Sequence, residues 1–399
     1  MSEVSRKPTP LPGRFDFGLS EAQEARAAKL HAESVIFDMV SMYAGGNIFA
    51  HYSGELQREF QAKIAALTKP SEKLTEAIFW PFEMARQGKS DLIRVWLQQS
   101  GLTCGAYDID IPGYDGGDPL SYPWDERLRC CAEMPWLRIA TTASAVREAK
   151  RDGAIALYAF YQPVVPVLRN LDALDRAHAR GLRSFMLTYN RMDHVGVGCT
   201  ERVDAGLSMF GVDVVARCND LGMMVDVSHC GPLTTIDACR HSKKPVTANH
   251  TSARSIYDHP RGKTDDALKA IADTGGVIGV VALPYFLSGE AAPTIERMLD
   301  HIDHIAEIVG WKHVALGTDW PIQAPDEVLL ATMGSPTYTQ QVGWGGSYRR
   351  DVTQRLIGYG DCRDLPNITR GLVKRGYGDA EIKGILGENA LRVFEQVCG

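Results

Sequence analysis

The stretch Met-Met-Val-Asp-Val-Ser-His at residues 223–229 decides the fold, together with Pro-Val-Thr-Ala-Asn-His at residues 245–250. Each run has the length and apolar composition of a strand and ends on a histidine, and residues 233–242 between them predict a helix. A strand, helix, strand unit of this kind favours a parallel sheet whose functional residues lie just after the strands. Two imidazoles placed in this way can share one metal ion.

Six other strand-like runs alternate with helix-like segments along the chain. They cover residues 34–38, 103–109, 154–160, 184–188, 277–283 and 313–319. Eight strands alternating with helices, without a Gly-x-Gly-x-x-Gly motif after the first strand, predict a closed (β/α)8 TIM barrel rather than a dinucleotide-binding sheet. We expect one barrel domain over residues 1–399, with a helical insertion at 43–101 after strand 1 and C-terminal helices at 365–399.

The composition excludes several classes of partner. The 399 residues are 45% hydrophobic and 23% charged, and the net charge of -6 comes without a basic stretch that would bind nucleic acid. We expect no membrane contact, because no apolar run reaches the ~20 residues that span a bilayer. The nine cysteines contain no Cys-x-x-Cys pair. Reduced thiols in a cytoplasmic protein are therefore expected.

Polar residues that follow barrel strands converge on the mouth of the barrel. His229, His250 and Asp319 predict a set of two histidines and one carboxylate for zinc or a similar ion, with one position left for water. Alternatively, Asp319 is the base that accepts a proton from that water. Each of these residues also has a structural interpretation, because a histidine after a strand is often only a buried or surface residue. The other polar residues at strand ends are Asp38, Asp108, Asp110, Gln162 and Tyr189.

Arg261 and Tyr189 are candidates for contact with a substrate. The Arg261 guanidinium lies in the loop after the sixth strand and could hold a carboxylate in a bidentate pair, or form an ion pair with Asp265 or Asp266. Tyr189 could donate to an oxyanion or simply stack in the mouth.

Several motifs in a fixed order resemble the membrane (renal) dipeptidase family of metallopeptidases. They are Val-Asp-Val-Ser-His at 225–229, Ala-Asn-His at 248–250, Asp-His-Pro-Arg at 258–261 with Thr-Asp-Asp at 264–266, Leu-Gly-Thr-Asp at 316–319, and the stretches 204–211 and 387–394. The resemblance implies an amidohydrolase-type (β/α)8 barrel that holds two zinc ions and hydrolyses dipeptides. It also implies that His229 and His250 belong to one zinc site, that Arg261 binds the substrate carboxylate, and that Asp319 handles the proton.

The sequence departs from the family at the other zinc site. Val40 and Met42 occupy the positions of the first-strand His-x-Asp pair, Gln162 aligns with the bridging glutamate, and Tyr189 aligns with a substrate-facing histidine. Valine and methionine cannot replace a histidine and a carboxylate as ligands of such an ion. We therefore expect a divergent member with one zinc ion at most, or none, in which Gln162 and Tyr189 face the substrate.

The function expected from these residues is that of a divergent metal-dependent hydrolase. It would cleave an amide bond, as in a dipeptide, in a small carboxylate-bearing substrate through a metal-activated water. One alternative is a metal-independent lyase or isomerase that acts on a small acid, with a tyrosine and an aspartate as acid and base. Another is a catalytically silent barrel that binds a small molecule or a partner. The resemblance also implies a homodimer.

Overall fold

Eight parallel strands form a closed ring in the computed structural model, which describes residues 15–40, 48–108, 132–162, 170–319, 324–344 and 351–399. The predicted (β/α)8 barrel is confirmed. The ring runs in the order β1, β2, β4, β5, β6, β7, β9, β10 and back to β1. Its strands are β1 (Phe37–Asp38), β2 (Cys104–Asp108), β4 (Ile155–Tyr161), β5 (Leu182–Met186), β6 (Met224–Asp226), β7 (Val246–Ala253), β9 (Val277–Val280) and β10 (Val314–Leu316).

Two short strands were not predicted. β3 (Leu137–Ile139) pairs with the first half of β4, and β8 (Gly262–Lys263) pairs with the end of β7. Strands of two or three residues are too short to produce a readable alternation of apolar and polar residues. The second of them matters for the site, because it carries Lys263 to the back of the barrel mouth.

Helices follow most of the strands and pack against the outside of the ring. The predicted helices in the stretch after β1 are found, and a further one, α4, was missed there. The helices are α1 (Glu21–Glu33), α2 (Gly54–Ala66), α3 (Pro70–Arg86), α4 (Leu92–Gln99), α5 (Ala143–Asp152), α6 (Asp172–Ala179), α7 (Met209–Leu221), α8 (Pro232–His241), α9 (Asp265–Asp273), α10 (Pro284–Leu287), α11 (Ile295–Val309), α12 (Asp326–Ala331), α13 (Pro336–Gln341), α14 (Pro366–Lys374), α15 (Asp379–Lys383) and α16 (Asn389–Cys398). Within the described ranges, no helix is long and apolar enough to cross a bilayer. The division into a single domain with an insertion stays a prediction.

The lower end of the barrel is closed by apolar side chains. One buried cluster joins inward-facing strand residues with side chains of α16. The Phe394 ring lies 5.8 Å from that of Phe37 and 5.5 Å from that of Tyr158, both in edge contact. Since the strands begin at this end, polar chemistry is left to the opposite mouth, where the strands finish.

A bulge in β7 shapes the mouth. Ala248 pairs with Ile278 and Thr251 pairs with Val280, so β7 has one residue more than β9 in this interval. The extra residue turns the Asn249 carbonyl toward two glycines. A Cβ atom at Gly279 would lie 2.0 Å from Asn249 O, and one at Gly317 would lie 1.7 Å from it. The bulge therefore requires glycine on both β9 and the end of β10.

Candidate active site

His229 and His250 meet at the barrel mouth. His229 lies in the turn after β6, and His250 lies in the bulge of β7. Their Nε2 atoms are 3.0 Å apart, and the two residues are 2% and 0% exposed. The structure thus brings together the two histidines that the sequence singled out, with one ring nitrogen of each facing the other.

Asn190 fixes the ring of His229. Its Oδ1 lies 2.7 Å from His229 Nδ1, and its Nδ2 donates to Val342 O at 2.7 Å. Because an amide oxygen only accepts, Nδ1 carries the proton and the Nε2 lone pair faces His250. The Tyr189 ring stacks on the imidazole with its centroid 4.0 Å away. Sequence reasoning did not assign Asn190 a role, because a single asparagine after a strand gives no signal of its partner.

His250 is held neutral by its surroundings. Burial lowers its pKa well below the usual value, and the positive charges of Arg261 and Lys263 lower it further. Its Nδ1 is buried and has no hydrogen-bond partner. A neutral imidazole keeps a lone pair on one ring nitrogen. This neutral form is the one that ligates a metal or accepts a proton.

Asp226 and Ser228 join the turn after β6 to the bulge of β7. Asp226 Oδ1 accepts from the amides of Ser228 and Asn249, each at 2.9 Å, and from Ser228 Oγ at 2.5 Å. Ser228 Oγ in turn accepts from the amide of His250 at 3.0 Å. Burial raises the pKa of the Asp226 carboxyl, against the lowering effect of these bonds. The network sets the backbone of both histidines relative to each other.

The Arg261 guanidinium lies behind both histidines. It is 1% exposed, and it donates from Nη1 to Ser228 O at 2.6 Å and from Nη2 to His250 O at 2.8 Å. Its Nε is buried without a hydrogen-bond partner. Asp265, the acid suggested as its ion partner, contacts His304 Nε2 at 2.9 Å instead. Arg261 therefore has a structural task in addition to any contact with a substrate, and sequence reasoning missed that task.

The remaining predicted residues lie at the ends of other strands. Asp319 follows β10 with a φ of +50°, and the preceding Thr318 donates its amide to Asp38 Oδ1 at 3.0 Å. Gln162 follows β4 and has a buried Oε1 without a hydrogen-bond partner. Val40, which the resemblance aligns with a first-strand zinc ligand, is 7% exposed, and Met42 lies outside the described residues.

The donor atoms fit one metal ion better than two. Zinc–nitrogen bonds of ~2.0–2.1 Å allow two Nε2 atoms 3.0 Å apart to bind the same ion. In the part of the chain that the structure describes, no group of three or more His, Cys, Asp or Glu side chains comes together as a metal site. His229 and His250 are thus a two-donor pair there, and the role of Asp319 as a ligand stays a prediction. The buried side chain of Val40 supplies no donor to a second ion.

The closed parallel ring with an imidazole pair where its strands end defines a (β/α)8 barrel with a candidate site at its mouth. The sequence model of the membrane dipeptidase family, peptidase family M19, matches residues 125–328 and 333–398. The chain belongs to this family, as the motifs predicted.

Two relatives show how far the likeness extends. Dipeptidase verJ of Clonostachys rogersoniana is 29% identical over 263 residues, which cover 65% of this chain and 60% of that protein. An uncharacterized dipeptidase of Schizosaccharomyces pombe is 28% identical over 297 residues, which cover 72% of this chain and 64% of that protein. The chain therefore spans less than two thirds of the length of either relative.

Solved structures share the fold. An amidohydrolase from Pseudomonas aeruginosa has a TM-score of 0.72 at 24% identity, over 94% of this chain and 99% of that one. A metallopeptidase of family M19, dipeptidase AC, has a TM-score of 0.64 at 22% identity, over 76% and 88%.

Proposed function

We propose that the protein is a hydrolase that cleaves an amide bond in a small, dipeptide-like, carboxylate-bearing substrate, and that it uses a single zinc ion. The observation that carries this proposal is the pair of Nε2 atoms, 3.0 Å apart and buried, at the mouth of a barrel of the membrane dipeptidase family. His229 and His250 would hold the ion. Zinc bound there would polarise a carbonyl group and lower the pKa of a water molecule.

Residues of this chain hold the two proposed ligands in place. The bond from His229 Nδ1 to Asn190 Oδ1 orients one ring, and the bulge of β7 orients the other. Burial keeps His250 neutral. Gln162 brings a neutral amide where the family has a bridging carboxylate, which removes the negative charge that would hold two cations close together. One ion is therefore the number that these residues support.

The proposed roles of the other residues follow from their positions. The Arg261 Nε–H group, buried and without a partner, is a donor for a substrate carboxylate, although its terminal nitrogens already bind main-chain carbonyls. Asp319 would accept the proton of the attacking water and pass it to the leaving amine. Tyr189, stacked on His229, would donate to the developing oxyanion, and Gln162 would contact the substrate.

The experiment that tests this proposal is a measurement of zinc content and turnover. Protein purified without chelators is compared with the double variant His229→Ala/His250→Ala and with a matched control, His194→Ala/His241→Ala, which replaces two exposed histidines. About one zinc per chain in the wild type and the control, none in the site variant, and hydrolysis of dipeptides or N-acyl amino acids that follows the metal would support it. A protein that binds no zinc even when zinc is supplied would overturn it.

A metal-independent reaction on a small acid is the second candidate. The observation behind it is that no group of three or more His, Cys, Asp or Glu side chains forms a metal site among the described residues. Tyr189 and Asp319 would then act as acid and base. Turnover that persists after chelation, and that Tyr189→Phe abolishes, would support this candidate over the hydrolase.

Cellular location and assembly stay predictions. The seven cysteines within the described ranges form no disulfide with one another, which supports a proposal that the protein works in a reducing compartment such as the cytoplasm. The homodimer is an expectation from the family alone. Light scattering on the purified chain distinguishes one copy from two.

A further inference from the structure

Lys263 is a buried lysine whose hydrogen bonds within the described residues all go to uncharged oxygens. It is 3% exposed, and its ammonium donates to Val227 O at 2.6 Å, to Cys230 O at 2.6 Å and to Thr235 Oγ1 at 3.1 Å. These three bonds use all three of its hydrogens. Its strand, β8, pairs with the end of β7, with Lys263 opposite Ala253.

The two carbonyls that Lys263 binds lie on either side of His229. Val227 and Cys230 are the first and last residues of a tight turn, closed by the bond from Cys230 N to Val227 O at 3.0 Å. Ser228 and His229 are its central residues. The ammonium therefore hydrogen-bonds to the carbonyls at both ends of the turn, while Arg261 hydrogen-bonds to a carbonyl in its middle, Ser228 O.

A buried ammonium carries a desolvation penalty that an apolar side chain does not. Burial removes the ammonium from water and disfavours its charged form, and an apolar side chain of the same length would pack at lower cost. Burial lowers the pKa of Lys263, in accord with that cost. Main-chain carbonyls at a turn, however, can be held in one orientation only by donors, which an apolar side chain lacks.

We propose that Lys263 is a positioning residue, which holds the Val227 and Cys230 carbonyls so that His229 Nε2 faces His250 Nε2. The hydrogen bonds from Lys263 Nζ to Val227 O and Cys230 O support the positioning role. Its consequence for turnover rests on the proposed function. Lys263 touches neither the histidine rings nor the space between them in the described contacts, so it acts through the turn.

The test compares Lys263→Met with Lys244→Met. Lys244 is a matched control, because its ammonium also donates to a main-chain carbonyl, Val397 O at 3.0 Å, but at α16, which closes the opposite end of the barrel. Zinc affinity is measured by competition with a chromophoric chelator, and the cobalt-substituted proteins are compared by visible absorption. We expect Lys263→Met to weaken zinc ~10–100-fold, the usual range for groups that orient metal ligands, and to alter the cobalt bands. Lys244→Met should leave both unchanged.

Kinetics separate positioning from general loosening. With a dipeptide that the wild type hydrolyses, Lys263→Met should lower kcat ~10–100-fold and change KM little, because the histidine pair and not the substrate contacts would be displaced. Thr235→Val removes only one of the three acceptors and keeps the turn carbonyls bound. It should fold as the wild type does and show a smaller change in the same direction, which keeps the proposal testable should Lys263→Met fail to fold.

Hydrogen exchange of the turn amides provides a readout that needs neither zinc nor turnover. Peptides covering residues 227–231 should exchange faster in Lys263→Met than in Lys244→Met, while those of β4 and α16 keep their wild-type rates. Equal exchange, zinc affinity and cobalt spectra in the two variants would overturn the positioning role. If the wild type lacks dipeptidase activity but the turn loosens only in Lys263→Met, the proposed function fails and the positioning role stands.

Discussion

The two sides of the barrel mouth are built differently. On the side of β6, β7 and β8, two imidazole nitrogens lie 3.0 Å apart, and buried cations hold the backbone behind them. On the side of β1 and β4, the positions that the family resemblance aligns with zinc ligands carry the buried aliphatic side chain of Val40 and the neutral amide of Gln162. The first side brings together both proposed donors and the groups that orient them, whereas Val40 and Gln162 offer no ionisable donor.

The difference supports the proposal that metal ligands and fold are separable in this barrel. Thr318 still donates to Asp38 across the junction of β10 and β1, so the ring closes beside Val40 without a ligand there. On the other side, the groups that hold the histidines also join β6, β7 and β8. Substitutions should therefore disturb stability and metal binding together on one side, and metal binding alone on the other.

Gly317→Ala should break the comparison most severely, because it removes the bulge that orients His250. The new Cβ would lie 1.7 Å from Asn249 O and 3.1 Å from His250 Cα, both backbone atoms that cannot rotate away. We expect a loss at or above the upper end of the ~1–3 kcal/mol typical of overpacking, measured by urea unfolding. Gly289→Ala is the control, since its nearest neighbour is the Tyr257 ring at 3.6 Å. Equal stability of the two variants would show that the bulge relaxes freely.

Asn190→Leu should weaken the histidine side without removing a ligand. The variant loses the acceptor for His229 Nδ1, so the ring can adopt the wrong tautomer and orientation. Zinc affinity, measured by isothermal titration calorimetry, should fall ~10–100-fold. Asn219→Leu, which removes a buried asparagine that bonds to Ser242, is the control. A zinc affinity in Asn190→Leu that matches this control would contradict the orienting role of Asn190.

Gln162→Glu should sharpen the comparison, because it adds one negative charge on the side of β1 and β4. The end of β4 lies near His250: the centroid of the Phe160 ring is 6.5 Å from that of the His250 imidazole. A carboxylate next to a bound cation should tighten zinc about tenfold, as judged by chelator competition. Gln98→Glu, on the exposed surface of α4, is the matched control and should change nothing. No gain in Gln162→Glu would mean that the amide lies too far from the ion.

The smallest effect expected is a pH dependence on the histidine side. Burial, followed by the charge of Arg261, lowers the pKa of His259 from 6.5 to about 4. The unfolded chain then binds more protons below pH 6.5, so unfolding becomes easier as the pH falls toward 4, by about 1.4 kcal/mol at pH 5.5. The Arg261 amide donates to His259 Nδ1 at 3.2 Å, and the side-chain oxygen of His259→Asn keeps a neutral acceptor for it. This variant should reduce the dependence of the free energy of unfolding on pH, as measured by denaturant titrations. An unchanged slope would assign the dependence to other groups.

Much of the fold could be predicted from the sequence, because its signals are local. The apolar runs before His229 and His250 are long enough to be identified as strands, and their regular alternation with helices points to a barrel. The bulge could not be predicted, since it depends on how β7 pairs with β9. β8 escaped notice for the same reason, because its two residues become a strand only through pairing.

The site could be predicted only at the level of its donors. A histidine after a strand indicates a possible ligand. The orientation of the His229 ring, however, depends on residues distant in sequence, such as Asn190 and, in our proposal, Lys263. Arg261 was assigned to a substrate from its place in a motif. The structure adds its bonds to two carbonyls, which no spacing along the chain encodes.

The bulge of β7 has a consequence for how this family can diverge. Asn249, His250 and the two glycines at 279 and 317 form one sterically coupled unit, because a side chain at either glycine would collide with Asn249 O. Lineages should exchange these positions jointly or not at all. Val40 and Gln162 make no contact of this kind among the described residues, so substitutions at these two positions should leave the bulge and its two glycines intact.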